Sequence, residues 1–526
     1  MRDHHLKQLD TILVIDFGGQ YTQLIARRVR ELSVYSEIIL NISTLSDIQA
    51  YNPKGIILSG GPRSVYENGS PTISEEFFNY CKEYSIPVLG ICYGLQLIGQ
   101  VFGGKITSYP KKEYGKIEIN VLNQEGLLEG LDAREPVWMS HGDQITEPPE
   151  HFELIASSET CPIAAIQNKD DQIYAVQFHV EVSHTPKGMQ ILRNFVFNIC
   201  KCRPNWKMAD FIKDVISKIR ETVKNEKVIM AVSGGVDSTV TATLIEKAIG
   251  TRMYCIFVDN GLMRKNEVAE VKHNFEEILR FKHFFIVDAS SLFLSRLEGV
   301  IDPEEKRRII ATTFFEVFEE KAEELKAQVG KIKFLGQGTI APDRIESGVT
   351  SSTSAKIKSH HNVTLPEKLN LEVLEPLALL YKDEVRVVGK ELGIPEELIQ
   401  RHPFPGPSLA IRIVGDVTEE KLEIVRESDA ILIEEIKGAG IYNQIWQAFT
   451  SYLPIKSVGV MGDARTYQNM VLIRMIESQD AMTANFVKVD WDLLEKIASR
   501  IMNEVPGVNR VVYDVSNKPP ATIELE

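Results

Sequence analysis

The feature that most constrains the fold is an alternation of short apolar runs with helical segments, which occurs twice along the chain. In the first 200 residues, these runs lie at 11–18, 55–61, 86–94 and 174–181, with a helical segment after the first. Strands that are apolar on both faces are typical of a mostly parallel sheet covered by helices on each side. The sequence therefore predicts a doubly wound α/β domain over residues 10–202.

The alternation breaks in segment 200–211, where Pro204 precedes a charged helix, and this segment is interpreted as an interdomain linker. It then restarts in four apolar runs at 227–235, 251–261, 283–290 and 332–339. This pattern predicts a second doubly wound domain over residues 203–404.

The character changes again after the proline-rich segment 401–413, where apolar stretches and one helix, Trp491 to Asn503, indicate a small α+β unit over 405–526. The predicted fold class is thus α/β, with two doubly wound, mostly parallel-sheet domains followed by a small α+β C-terminal domain.

Composition excludes some classes of partner. The net charge of −14 argues against a nucleic-acid or anionic-membrane surface, since such binding neutralises phosphates. The six cysteines have neither zinc-site nor disulfide spacing, which favours a reducing cytoplasm. The uncharged stretch 84–104 contains Pro87 and five glycines, so a buried strand, a turn and a helix are predicted there rather than a membrane span.

The segment "SGGVDS" (233–238) follows an apolar strand and leads into a helix. Its glycines would let main-chain N–H groups approach a phosphate chain, although a glycine-rich turn without function is the alternative. No lysine follows, so it is not a Walker A motif. It resembles the pyrophosphate loop of the N-type ATP pyrophosphatases, in which Asp237 would help to hold Mg²⁺. The ATP-binding residues implied are Ser233, Gly234, Gly235, Val236, Asp237, Ser238 and Val258.

A single cysteine, Cys92, lies between two glycines in "PVLGICYGLQ" (87–96). Alone, such a cysteine is more often a core residue than a nucleophile. His179 and Glu181 lie two residues apart, so on one strand they would face the same side, where the carboxylate could orient an imidazole base. The segment "SGGP" (59–62) could supply main-chain donors to an oxyanion.

Together, "GICYGLQ" and "FHVEV" resemble the class I glutamine amidotransferases. That resemblance implies that Cys92 is the nucleophile, His179 the base and Glu181 its orienting group. It further implies oxyanion donors at Gly61 and Tyr93, and glutamine-binding residues at Gln96, Ser140, His141 and Asp143.

From about residue 10 to the last residue, motifs such as "GQGTIAPDRIES", "RHPFPGP" and "SNKPPATIELE" are similar to those of the glutamine-hydrolysing GMP synthase family. The resemblance implies a carbon–nitrogen ligase in which ATP adenylates XMP and ammonia from glutamine displaces AMP. It implies Mg²⁺ with ATP and no prosthetic group, a cytoplasmic homodimer joined through residues after about 405, and no nucleic-acid or membrane partner.

The same resemblance implies XMP-binding residues and a lid residue. The former are Arg307, Arg401, Lys518, Ile523 and Glu524, and the latter is Lys358. The chain departs from the family at Ser408, where glycine is common, at Leu525, where tryptophan is usual, and after Val363, where two glycines are missing.

Rival interpretations begin with other enzymes. The pyrophosphatase loop also occurs in NAD synthetases, argininosuccinate synthetases and tRNA thiolases. A non-catalytic nucleotide-sensing homologue is the alternative from a different class. The coupling of the two sites, the ammonia path and the conformation of the lid are left open by the sequence.

Overall fold

A computed structural model describes residues 8–343, 371–461, 464–478 and 483–526, without the side chains of 109–112 and 461. Within these ranges the chain divides into two compact units, the first ending at Lys207 and the second beginning at Met208. The boundaries predicted at 202/203 and 404/405 stay predictions.

The first unit is built on one nine-stranded sheet. Its strands are β1 (Thr11–Asp16), β2 (Tyr35–Leu40), β3 (Gly55–Leu58), β4 (Val88–Ile91), β5 (Lys105–Val121), β6 (Arg134–Glu147), β7 (Glu153–Ser157), β8 (Ala165–Asn168) and β9 (Ile173–Val176). Its helices are α1 (Thr22–Glu31), α2 (Leu45–Tyr51), α3 (Glu75–Glu83), α4 (Tyr93–Val101) and α5 (Gly188–Arg193).

The strand order is β2-β1-β3-β4-β9-β8-β7-β5-β6. Neighbours are parallel from β2 to β9, and antiparallel from β9 onward. The predicted apolar runs coincide with β1, β3, β4 and β9, whose residues are almost all buried. The long pair β5 and β6 was not predicted, because it lacks the continuous apolar runs on which the prediction rested.

The second unit contains a five-stranded, all-parallel sheet and a smaller C-terminal sheet. The first is formed by β10 (Val228–Ala231), β11 (Met253–Asp259), β12 (Phe284–Asp288), β13 (Phe334–Gly336) and β14 (Glu372–Leu374), in the order β12-β11-β10-β13-β14. The second is formed by β15 (Gln447–Met461), β16 (Ala464–Glu477), β17 (Asn485–Phe486) and β18 (Val508–Tyr513). In it, β15 and β17 run antiparallel to β16, whereas β18 runs parallel to it.

The helices of the second unit flank both sheets. They are α6 (Met208–Val223), α7 (Val236–Ile249), α8 (Glu267–His273), α9 (Ser290–Leu297), α10 (Pro303–Val329), α11 (Lys382–Glu391), α12 (Glu396–Ile399), α13 (Glu419–Gly438) and α14 (Trp491–Glu504).

One apolar core runs through the second unit. It includes Ile229 and Ile256 of the parallel sheet, Phe318 of α10, and Val471 and Ile501 of the C-terminal region. Burial of each such side chain stabilises the fold by about 1.5–3 kcal/mol. The two parallel-rich α/β sheets and the C-terminal sheet with helices confirm the predicted fold class.

The uncharged stretch 84–104 contains β4 and α4, as predicted. Across the described ranges, we find no helix with the length and apolarity needed to cross a membrane.

Candidate active sites

Cys92 forms the bend between β4 and α4. Its φ is +55°, a left-handed value that is strained for a residue other than glycine and costs about 1–3 kcal/mol. The flanking glycines make the bend possible: a Cβ on Gly94 would lie 2.5 Å from Leu58 O, and one on Gly90 would lie 2.7 Å from Gly94 C. The thiol is thereby held at the first turn of a helix, an arrangement that suits a nucleophile.

His179 and Glu181 form the predicted pair, with His179 Nδ1 2.7 Å from Glu181 Oε1. The prediction that both lie on a strand was wrong, because β9 ends at Val176. His179 is fixed instead by main-chain contacts: its N–H donates to Trp138 O at 3.0 Å, and its carbonyl accepts from Thr185 Oγ1 at 2.6 Å. The loop after β9 therefore holds His179 and Glu181 in contact, although neither residue belongs to the strand.

The electrostatics of His179 suit a base. Burial alone would lower the pKa of His179, but the charges of Glu181 and Cys92, with hydrogen bonds to both, raise this pKa well above its usual value. Glu181 is buried, and its Oε2 has no hydrogen-bond partner among the described residues.

The predicted oxyanion donors, Gly61 and Tyr93, lie on two segments that meet at Cys92. Tyr93 is the first residue of α4. On the other side, the Ser59 hydroxyl donates to Gly60 O at 2.9 Å and so fixes the peptide that carries the Gly61 N–H. A Cβ on Gly60 would lie 3.4 Å from His179 Cε1 and 4.0 Å from Cys92 Cβ.

The four predicted glutamine-binding residues belong to one hydrogen-bond network. Asp143 O accepts from Gln96 Nε2 at 2.8 Å and lies 3.0 Å from His141 Nδ1. The Ser140 carbonyl lies 3.7 Å from Cys92 Sγ. The structure therefore brings all four residues together beside the thiol.

Sequence reasoning missed other members of this network. Gln177 Nε2 lies 3.7 Å from Cys92 Sγ, and Tyr66 OH donates to Asp143 Oδ1 at 2.8 Å. Gln177 stands two residues before His179 in the apolar run 174–181, and this proximity in sequence was the available signal. Tyr66 had no such signal.

A third missed residue, Glu113, lies with its Oε2 2.8 Å from His141 Nε2. Burial lowers the pKa of His141, against the opposing charge of Glu113. Nearby, burial and the charges of Glu113 and Cys92 raise the pKa of the Cys161 thiol to about 12.

In the second unit, one cavity of about 430 Å³ collects all seven predicted ATP-binding residues. The loop 233–238 connects β10 to α7, and Gly234 has a φ of +73°. Within the loop, the Ser238 hydroxyl donates to Gly235 O at 3.0 Å, and Gly235 N–H donates to Ser233 Oγ at 3.3 Å. These bonds hold the loop open at a helix N-terminus, where anions are favoured.

Asp237 in this loop pairs with a lysine, Lys382, that was not predicted from the sequence. Its Oδ2 lies 2.6 Å from Lys382 Nζ on α11, while its buried Oδ1 has no hydrogen-bond partner in the described part of the chain. That second oxygen is a suitable ligand for a divalent cation.

The five predicted XMP-binding residues fall into two groups. Arg401 contacts the 233–238 loop, donating to Gly234 O at 3.2 Å, and it also pairs with Glu267 at 2.8 Å. The remaining four belong to contacts of the C-terminal segment: Arg307 donates to Glu526 O at 2.7 Å, Glu524 pairs with Arg412 at 3.2 Å, Ile523 O accepts from Arg474 at 3.4 Å, and Lys518 exchanges main-chain bonds with Ala484. Lys358 and the segment after Val363 lie outside the described residues.

Three family models match the chain. They are "Glutamine amidotransferase class-I" over residues 13–199, "NAD synthase" over 206–299, and "GMP synthase C terminal domain" over 434–525. The fold and the two sites define a glutamine amidotransferase joined to an ATP-dependent synthetase.

Relatives named "GMP synthase [glutamine-hydrolyzing]" match almost the whole chain. The protein from Brachyspira hyodysenteriae is 52% identical over 98% of this chain and 99% of its own length. That from Bacillus cereus is 52% identical over 99% of this chain and all of its own, and that from Aquifex aeolicus is 51% identical over 98% and 99%. The chain belongs to the family of glutamine-hydrolysing GMP synthases.

Proposed function

We propose that the two sites divide one reaction, in which XMP, ATP, glutamine and water give GMP, AMP, pyrophosphate and glutamate. As a member of its family, the chain is a carbon–nitrogen ligase with glutamine as amido donor. The main support for a separate glutaminase site is the His179–Glu181 pair, 2.7 Å apart, beside the proposed nucleophile Cys92 on its strained bend. The alternative of a non-catalytic nucleotide sensor has no observation in its favour.

In the first unit, His179 takes the proton of the Cys92 thiol, and the thiolate attacks the amide carbon of glutamine. The main-chain N–H groups of Gly61 and Tyr93 stabilise the oxyanion. His179 returns the proton to the departing ammonia, and water then hydrolyses the thioester to glutamate and restores the thiol.

In the second unit, the 2-oxygen of the xanthine base attacks the α-phosphorus of ATP, and pyrophosphate leaves. The 233–238 loop holds the phosphates through its N–H groups and hydroxyls. Ammonia then attacks C2 of the base, AMP leaves with the former 2-oxygen, and loss of a proton gives GMP. The seven cavity residues are proposed as the ATP-binding set.

Magnesium with ATP is part of the proposal. Asp237 would hold the ion through the unpaired Oδ1, and the ion would supply charge neutralisation for the phosphates. Lys382, which pairs with Asp237 Oδ2, would add a second positive charge to the lining of the cavity.

Arg307, Arg401, Lys518, Ile523 and Glu524 are proposed to bind XMP. Arg401 is supported by its contact with the pyrophosphate loop, since bidentate Arg groups suit phosphates. Lys358 keeps its proposed lid role on the resemblance alone.

A homodimer through residues after about 405 is supported by exposed apolar side chains on the β15–β16 pair: Ile455, Val458, Val460 and Tyr467. A cytoplasmic location is supported by six buried cysteines without disulfides.

The test measures AMP and GMP formed from XMP and ATP with either glutamine or ammonium. Cys92→Ser is expected to abolish the glutamine-driven reaction and to leave the ammonium-driven one intact, whereas Asp237→Ala should abolish both. Loss of both reactions in Cys92→Ser, or of neither, contradicts the division.

A further inference from the structure

A second cluster of buried chemical groups lies in the first unit, outside the catalytic pair. Glu113 on β5, His141 on β6 and Cys161 in the loop between β7 and β8 each bring one donor atom within 4.8 Å of the others. Their exposed fractions are 7%, 5% and 0%. The reaction described above uses neither Glu113 nor Cys161.

The tautomer of His141 leaves a lone pair facing this cluster. His141 Nδ1 lies 3.0 Å from Asp143 O, and a carbonyl oxygen only accepts, so Nδ1 carries the proton in the neutral ring. In the neutral ring the lone pair is therefore on Nε2, which faces Glu113. Metal-binding histidines are typically oriented in this way, by a carbonyl on the second ring nitrogen.

Glu113 faces Nε2 of the His141 ring. Its Oε2 lies 2.8 Å from His141 Nε2, within pairing distance of a protonated ring, whereas its buried Oε1 has no hydrogen-bond partner among the described residues. A buried carboxylate in this condition is costly unless a cation neutralises it.

Main-chain pairing holds the three residues in place. Glu113 and His141 are directly opposite each other in the antiparallel β5–β6 pair. Cys161 lies in a tight turn, where its N–H donates to Ser158 Oγ at 2.8 Å and its carbonyl accepts from Ser158 N–H at 2.8 Å. The donors are therefore held by rigid parts of the fold.

We propose that Glu113, His141 and Cys161 bind a thiophilic divalent cation such as Zn²⁺, with water at the fourth position. Thiolate, imidazole and carboxylate at bond lengths of about 2.0–2.3 Å are the usual zinc donors. Tetrahedral geometry at those lengths separates donors by about 3.3–3.8 Å. The present separations run from 2.8 Å to at most 4.8 Å, so side-chain rotations of about 1 Å bring the donors to that geometry. Binding breaks the Cys161 S–H bond, forms an S–metal bond and releases one proton.

The ion would act on the neighbouring glutaminase. His141 and Gln96 share the Asp143 carbonyl, and Ser140 O lies 3.7 Å from Cys92 Sγ. Drawing the His141 ring toward an ion displaces this segment, so we expect bound Zn²⁺ to slow glutamine hydrolysis and to leave ammonium-driven synthesis unchanged.

The binding test uses the full chain carrying Cys92→Ala, which removes the active-site thiol as a competing ligand. Cobalt(II) is titrated as a spectroscopic probe, and Zn²⁺ affinity is then measured by competition. We expect one equivalent of cobalt with a thiolate-to-cobalt charge-transfer band. Adding Cys161→Ala should remove the band and weaken Zn²⁺ binding at least 100-fold, and the nearly isosteric Glu113→Gln should weaken it at least tenfold.

The matched control is Cys255→Ala, which removes a buried cysteine of the second unit and should retain the band. A band that survives Cys161→Ala, or the lack of one-equivalent binding in the Cys92→Ala chain, overturns the proposal. Glu113→Gln binding as tightly as its parent overturns it as well, and this variant covers the case in which Cys161→Ala does not fold.

The expected effect on activity rests on the proposed function, but the binding test does not. With the native Cys92 present, Zn²⁺ should inhibit the glutamine-driven reaction at least tenfold less in Cys161→Ala than in the unaltered chain. Equal inhibition overturns the regulatory role, while failure of the proposed function would appear as absence of glutamine-driven synthesis without metal.

Discussion

Glu181 Oε1 lies 2.7 Å from His179 Nδ1, so the carboxylate fixes which ring nitrogen carries the proton. Both side chains are buried beside Cys92. The remaining ring nitrogen, Nε2, is thereby left to exchange a proton with the thiol.

Glu181→Gln tests this relationship. We expect glutamine-driven GMP formation to fall about 100- to 10,000-fold, because an amide can orient the ring but cannot stabilise its protonated form. Since the charge of Glu181 helps to raise the pKa of His179, the limb of the pH–rate profile that reports His179 should move to lower pH.

The control for that experiment is Glu147→Gln, which alters an exposed carboxylate paired with Lys105 in the same unit. It should leave both reactions unchanged. Ammonium-driven synthesis should be unaffected by Glu181→Gln, and a parallel loss of that reaction would contradict a role confined to the glutaminase.

Lys382→Met tests whether the positive charge of Lys382, beside the 233–238 loop, contributes to synthesis. Removing the charge that lies 2.6 Å from Asp237 Oδ2 should lower synthesis from either nitrogen source about 100- to 1000-fold, because charge on the leaving pyrophosphate is then less stabilised. The matched control is Lys390→Met, an exposed lysine on the same helix. If the rate of synthesis by Lys382→Met is within threefold of the rate of the unaltered chain, Lys382 does not stabilise the leaving pyrophosphate.

Ser408 has a φ of +57°, which explains why glycine suits this position. Its hydroxyl accepts a hydrogen bond from Asn260 Nδ2 at 3.2 Å. Ser408→Gly relieves about 1 kcal/mol of backbone strain and loses a bond worth about 1 kcal/mol, so the free energy of unfolding should change by less than about 1 kcal/mol. Ser408→Val should destabilise by about 2 kcal/mol or more. The measurement is the free energy of unfolding in urea for both variants. Equal stability of Ser408→Val and Ser408→Gly would refute the strain argument.

His402 predicts acid sensitivity of the second unit. Burial, opposed by the hydrogen bond to Tyr442 O and reinforced by nearby positive charges, lowers the pKa of His402 to about 4. Between the ordinary His pKa of about 6.5 and that value, the unfolded chain binds a proton that the folded chain does not. Stability should therefore fall as the pH drops through this window, by up to about 3 kcal/mol.

The measurement is urea unfolding at pH 6.5 and pH 4.5, with His402→Asn as the comparison. That variant is expected to be less stable at pH 6.5, since it loses the ring stacked on Tyr442, but to lose less stability on acidification. An unchanged pH dependence in the variant would assign the effect to other groups.

The sequence predicted those parts of the molecule that depend on neighbours along the chain. Continuous apolar runs located β1, β4 and four of the five parallel strands of the second unit, β10 to β13, because strands buried in a parallel sheet leave a local trace in the sequence. The short strand β14 was not predicted. The position of the loop 233–238 between a strand and a helix was also predictable, because its residues are contiguous in the sequence.

Contacts between distant segments were not predictable. Glu113, Tyr66 and Lys382 reach their sites through register and packing, and nothing adjacent to them in sequence indicates a partner. The end of β9 was misplaced because the apolar residues Phe178 and Val180 continue past Val176, although they are buried in a loop.

The apolar core of the second unit joins Ile229 of the parallel sheet to Val471 of the C-terminal sheet. This continuity limits where the gene for such a chain can be divided in evolution. Recombination between residues 207 and 208 would fall between the two compact units and would leave the core of the second unit uncut. A break near residue 404 would leave water against both halves of one core. Descendants of this chain are therefore expected to keep residues 208–526 on a single gene, even where the amidotransferase is encoded separately.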